Sequence, residues 1–163
     1  MIVRITFIFL FFSASSLFAQ KRPLAITFQN AEKQGLAFSK LDSSYKSAVD
    51  SDTSKAVFKS AAQQKELQLA YADLLKDLNK HLAENNFKWE KPTRCFNRIY
   101  FKPNGKIDYF LYNFLPKPSD PNPISEEKRL RFEKLLSAFI RKYQFKLTAD
   151  VKFAQCSPVT YAD

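Results

Sequence analysis

The sequence predicts an α+β fold. The expected element order is helix, strand, strand, helix, strand, with a three-stranded antiparallel sheet in order 2-1-3 covered by helices. An extra helical segment is expected on the N-terminal side. Three observations carry this prediction. Apolar residues recur at helical spacing over about 53–83 and again over about 125–143. Between those stretches "RCFNRIYF" and "KIDYFLYNF" flank "KPNG", with aromatic and branched residues close to period two. Such alternation around Asn-Gly is a strong hairpin signal. Finally, "KLTADVKFAQC" reads as a strand that stops at Pro158. Helices layered on one face of an antiparallel sheet satisfy this order.

The first segment speaks to location. "MIVRITFIFLFFSASSLFA" has one early cation, Arg4, then an apolar run from Ile5 to Phe12, then small residues ending at Ala19. That is the order of a secretory signal peptide. The uncharged run from Ile5 to Ala19 falls short of the roughly 20 apolar residues of a spanning helix. The expected division is a signal peptide at 1–19, a partly helical extension at 20–52 and an α+β domain at 53–163. The location implied is periplasmic or secreted, with no transmembrane span after cleavage. Removing Arg4 leaves 25 Lys and Arg against 16 Asp and Glu, a net charge of about +9.

Residues 20–30 read as loosely held. "AEKQGLAFSKLDSSYKSAV" then spaces Ala37, Leu41, Tyr45, Ala48 and Val49 at helical intervals, with Gly35 weakening the pattern. "DSDTS" at 50–54 offers caps for the long helix that follows. In that helix Leu67, Tyr71, Leu74, Leu75, Leu78 and Leu82 share one face. "ENN" at 84–86 ends it. After the hairpin, four prolines in 115–123 make a loop, and Ser125 caps the next helix. Phe132, Leu135, Leu136, Phe139, Ile140 and Tyr143 form that helix's apolar face. In the hairpin, Ile99, Phe101, Phe110, Tyr112 and Phe114 are expected to face the core. Tyr100 and Tyr109 are expected on the opposite face, as partner contacts.

The chain has two cysteines, Cys95 and Cys156. In an oxidising compartment their default is a disulfide. Closing a loop of about 60 residues is worth about 4 kcal/mol in the loop-entropy model. The 2-1-3 order would set both cysteines at one end of neighbouring strands.

"IYFKPNGKIDYFLYNF", "RFEKLLSAFIRKYQFKL" and "ADVKFAQCS" together resemble the C-terminal domain of TonB, a periplasmic energy transducer, over residues 91–157. The matching positions are Pro103, Asn104, Gly105, Lys106 and Ile107, then Phe132 and Glu133, then Tyr143 and Phe145. The resemblance implies a non-enzymatic domain that meets a protein partner in the cell envelope by pairing strands at a sheet edge. The chain lacks the long Pro-rich spacer and the Tyr-Pro pair of that family.

Little in the sequence suggests chemistry. His81 is the single histidine, so no multi-histidine metal cluster can form, and a serine nucleophile would need His81 as its base, with no elbow motif around any serine. Two glycines cannot build a phosphate-cradling loop. No cofactor is expected, and an exported protein is not expected to meet nucleic acid. The basic excess is the broader signal: residues 93–163 carry 13 cations against 7 anions. Lys128, Arg131, Lys134, Arg141 and Lys142 are expected on the solvent side of the second helix. That face is the alternative site, for an anionic envelope component such as a lipid head group or an acidic partner.

Overall fold

The computed structural model describes residues 22–117, 119 and 124–163. Its elements, in chain order, are β1 (Leu24–Thr27), α1 (Phe28–Lys33), α2 (Phe38–Asp42), β2 (Lys46–Ser47), α3 (Ala61–Glu84), β3 (Thr93–Phe101), β4 (Ile107–Phe114), α4 (Glu126–Lys142) and β5 (Phe153–Tyr161). The export signal expected at 1–19 lies outside the described residues.

One five-stranded mixed sheet organises the molecule, in order β1-β4-β3-β5-β2. This corrects the expected three-stranded antiparallel sheet. β3 pairs antiparallel with β4 and with β5. β1 adds in parallel to β4, and β2 adds in parallel to β5. The two outer strands are four and two residues long. Period-two alternation needs about four to eight residues to register, so such short strands leave little pattern. Residues 20–30, expected to be loose, therefore supply an edge strand. The segment read as an extension contributes to the same sheet as the rest of the chain.

Helices α3 and α4 cover one face. Leu67, Leu74, Leu78 and Leu82 of α3 meet Phe132, Leu136 and Ile140 of α4 over Ile99, Phe101, Phe110 and Tyr112. His81 joins the two helices through Nε2, 3.2 Å from the Leu135 carbonyl oxygen. The long helix starts at Ala61 rather than near residue 53. Ser60 and Gln63 form a reciprocal capping box there, each side chain accepting from the other's backbone N–H. Asp50 and Asp52 accept from the backbone amides of Asp52 and Ser54, which makes turns instead of a cap.

The second face of the sheet is covered too. Ile26, Ala31, Leu41 and Tyr45 pack on Tyr100, Tyr109, Leu111 and Ala154. The helix expected across 31–49 is two short helices, because Gly35 takes a left-handed φ of 73° between them. Tyr100 is fully buried and Tyr109 is 7% exposed. This corrects their assignment as partner contacts: the chain's own N-terminal segment occupies the face they line.

A bulge tunes that face. Tyr100 pairs with Tyr109 but Phe101 pairs with Ile107, so Asp108 is the extra residue. The carboxylate of Asp108 accepts from the Tyr45 hydroxyl at 2.7 Å and pairs with Lys102 at 3.4 Å. Burial together with this carboxylate pushes the Tyr45 hydroxyl far above its ordinary pKa.

The cysteines are not bonded. Both are free thiols, Cys95 buried and Cys156 exposed. In the ladder Cys95 lies opposite Val159, and Cys156 lies opposite Arg98. Val159 and Cys156 are three residues apart, an odd number, so Cys95 and Cys156 project from opposite faces. Three residues also span about 10 Å of strand, beyond the roughly 7 Å between Cα atoms that a disulfide tolerates. β5 continues through Pro158, opposite Phe96, and does not stop there. A proline is tolerated in an edge strand because its missing N–H breaks no ladder bond on the outer side.

Candidate functional site

Gly105 places the first half of the site. It adopts a φ of 78°, and a Cβ there would lie 2.7 Å from the Phe145 carbonyl oxygen. Only glycine meets both conditions without strain. The tip of the β3–β4 hairpin can therefore press on the chain that leaves α4. The Phe145 amide donates to the Gly105 carbonyl at 3.1 Å, and the Ala149 amide to the Pro103 carbonyl at 2.9 Å. The Gln144 side-chain amide donates to the Asn104 carbonyl. These bonds hold Lys102 and Lys106 beside the C-terminal turn of α4, which carries Arg141 and Lys142.

A cleft of about 340 Å³ opens at this junction, lined in part by Arg22, Lys102, Lys106, Arg141 and Lys142. Its floor includes Ile107 and Ile140, each only 2% exposed. No carboxylate lines the cleft among the described residues. Of the five cations, Lys102 alone is in an ion pair among the described residues, with Asp108. Cations at a helix C-terminus are favoured by the exposed carbonyls there, which accounts for Arg141 and Lys142. The helix end does not account for Arg22, Lys102 and Lys106, which come from two other parts of the chain.

The basic face expected on α4 divides in two. Lys128 and Arg141 are 13 residues apart, about 20 Å along a helix. Lys128 pairs with Glu90 at 2.7 Å, its side chain 18% exposed, and sits 5.7 Å from the Phe87 ring centre. Arg131 donates through Nη2 to the carbonyls of Asn85 and Asn86, each at 3.0 Å. It closes the C-terminal end of α3 and is committed to that role. Lys134 is exposed. Only Arg141 and Lys142 of the five reach the cleft. Arg22, Lys102 and Lys106 were missed in the sequence because Arg22 lies 80 and 84 residues before the two lysines, and all three lie far from the end of α4 along the chain. The only local sign was the lysine on each side of the Pro-Asn-Gly turn.

A second cleft, of about 350 Å³, lies on the other side of the sheet and includes Asp42, Tyr45, Arg98 and Cys156. Arg98 donates through Nη2 to both carboxylate oxygens of Asp42, at 2.6 and 2.5 Å. Its guanidinium also lies 4.7 Å from the Phe38 ring centre. These contacts fasten α2 to β3. Cys156 is exposed as a residue, but partial desolvation of its thiol beside β3 pushes it up, and the positive charge of Arg98 partly offsets this. Burial alone pushes the Cys95 thiol up to about 12. Among the described residues no group of three or more His, Cys, Asp or Glu side chains could hold a metal ion.

No family model matches the chain, and neither the curated proteins nor the solved structures include a match. Among the described residues no helix is long and apolar enough to cross a membrane.

Proposed function

We propose that this is a non-enzymatic binding protein that captures a multivalent anion in the cleft between the β3–β4 hairpin and the end of α4. One observation carries the reading. Five cations from three separate parts of the chain converge on one cleft that no carboxylate lines among the described residues. Like charges held together repel, and in water a multivalent counter-charge relieves that repulsion. The export signal read in residues 1–19 makes an envelope or secreted setting part of the same proposal.

Inorganic triphosphate is a suitable probe. Calorimetric titration at low salt should give saturable binding of one ion per chain. Replacing Lys106, Arg141 and Lys142 together with Gln should weaken it by about 100-fold. Replacing the exposed Lys59, Lys65 and Lys134 with Gln removes equal charge elsewhere and should weaken it by less than threefold. Equal losses in the two triple variants would show a diffuse charge effect and reject the site.

Contact with a partner protein through strand pairing, as the TonB resemblance implies, has its own support. β5 pairs with β2 only at Phe153 and Ala154, so its outer edge from Gln155 to Tyr161 meets no strand among the described residues. Pro158 removes one donor from that edge, which limits it as a template. Partner capture that survives 500 mM salt and is abolished by a further proline at Thr160 would favour this second reading.

A further inference from the structure

We infer that the anion is the head-group layer of an acidic lipid bilayer, and that the protein docks its basic cleft on that surface without extracting lipid. The inference rests on the anion-binding reading of the cleft and names its ligand. Three features support it.

The base of the cleft offers little apolar surface: Ile107 and Ile140, which line it, are each 2% exposed. Such a floor favours head groups over acyl chains. The cations on the rim are also long and exposed: Arg22, Lys106, Arg141 and Lys142 all reach solvent. A flexible lysine and arginine rim over a shallow floor suits many phosphates on a plane better than one stereospecific ligand.

The covalent chain supplies the third feature. Arg22 lines the cleft. It stands three residues after Ala19, the end of the apolar run that begins at Ile5. Three residues span at most about 11 Å. Wherever that apolar run enters a bilayer, the cleft is held within about 11 Å of the head groups. If the run is removed, the new α-amino group at Gln20 and the Lys21 ammonium directly precede Arg22 in the sequence. Clusters of four to eight cations beside an apolar segment are a recognised basis for attraction to acidic lipid surfaces.

Vesicle sedimentation tests the inference with the chain that begins at Gln20, which keeps every described residue and both cores. Without the apolar run, any binding reflects the folded surface. Vesicles of phosphatidylcholine with 30% phosphatidylglycerol should bind it, and pure phosphatidylcholine should not. Binding should fall about 100-fold in the Lys106→Gln, Arg141→Gln, Lys142→Gln variant and by less than threefold in the Lys59→Gln, Lys65→Gln, Lys134→Gln control. Sedimented lipid should remain in the vesicle fraction, with none carried into solution by the protein. Saturable triphosphate binding without vesicle binding would overturn the lipid inference and leave the anion site standing. Absence of both would overturn the anion site itself. Lipid appearing in solution bound to the protein would overturn docking in favour of extraction.

Discussion

At the scale of residues, the two cysteines give the sharpest contrast between chain and fold. Cys95 packs in the core under α3 and α4, while Cys156 is exposed beside Arg98 on the other face. A thiol reagent applied to native protein should modify Cys156 and leave Cys95 untouched until denaturant is added. Two unreactive sulfurs in unreduced protein, released together by reductant, would restore the disulfide. Buried acids also set a pH limit. Burial raises Cys95 from 9.0 to about 12 and Tyr71 from 10.0 to about 12. In each case the folded value exceeds the unfolded one, so the native state holds its proton more tightly. Their contribution is full below about pH 9 and is lost as pH rises toward 12. Thermal midpoints should be level between pH 7 and 8.5 and fall steeply above pH 10. A midpoint that holds steady to pH 11.5 would contradict the burial of these groups.

At the scale of elements, the hairpin turn and the N-terminal segment do the most positioning. Gly105→Ala meets a left-handed φ and a backbone oxygen together. It should cost about 2–3 kcal/mol in chemical denaturation. It should also weaken triphosphate binding in the protein that remains folded, because Lys102 and Lys106 shift away from α4. Leu41→Ala probes the second core, where Leu41 is the buried residue of α2, 5% exposed. A buried Leu→Ala change costs about 2–5 kcal/mol, whereas on a loose extension it would cost close to nothing. The elements differ in how far they could be read from sequence. α3 and α4 carry long apolar stripes, and the hairpin carries Asn-Gly between alternating strands, so local pattern sufficed. β1 and β2 are held by their neighbours: Leu24 to Thr27 pair with Tyr109 to Tyr112, and no window of their own sequence announces it. Tyr100 and Tyr109 were placed on the face away from the helices by period-two alternation. Whether that face met solvent depended on what residues 22–48 would do. The Asp108 bulge sets Ile107 on the same face as Phe110, while the alternation from Tyr109 to Tyr112 is kept.

At the scale of the whole molecule, one sheet is covered on both faces, and the proposed anion site lies at its rim. The first core belongs to α3 and α4, the second to the N-terminal segment, and the cleft forms where Arg22, the hairpin tip and the end of α4 meet. Only part of that site was legible in sequence. Arg141 and Lys142 stood out on a basic helix, but grouping them with Lys128 and Arg131 ignored the length of the helix and the local partners of those two. Arg22, Lys102 and Lys106 join them through tertiary contacts that no spacing rule encodes. The proposed anion site lies at this junction and not along α4. Amide chemical-shift mapping during a triphosphate titration distinguishes the two places. The shifted amides should cluster at residues 102–107 and 140–146, with Arg22 among them. Shifts centred on Lys128 to Lys134, or spread evenly over the lysines of the surface, would contradict it.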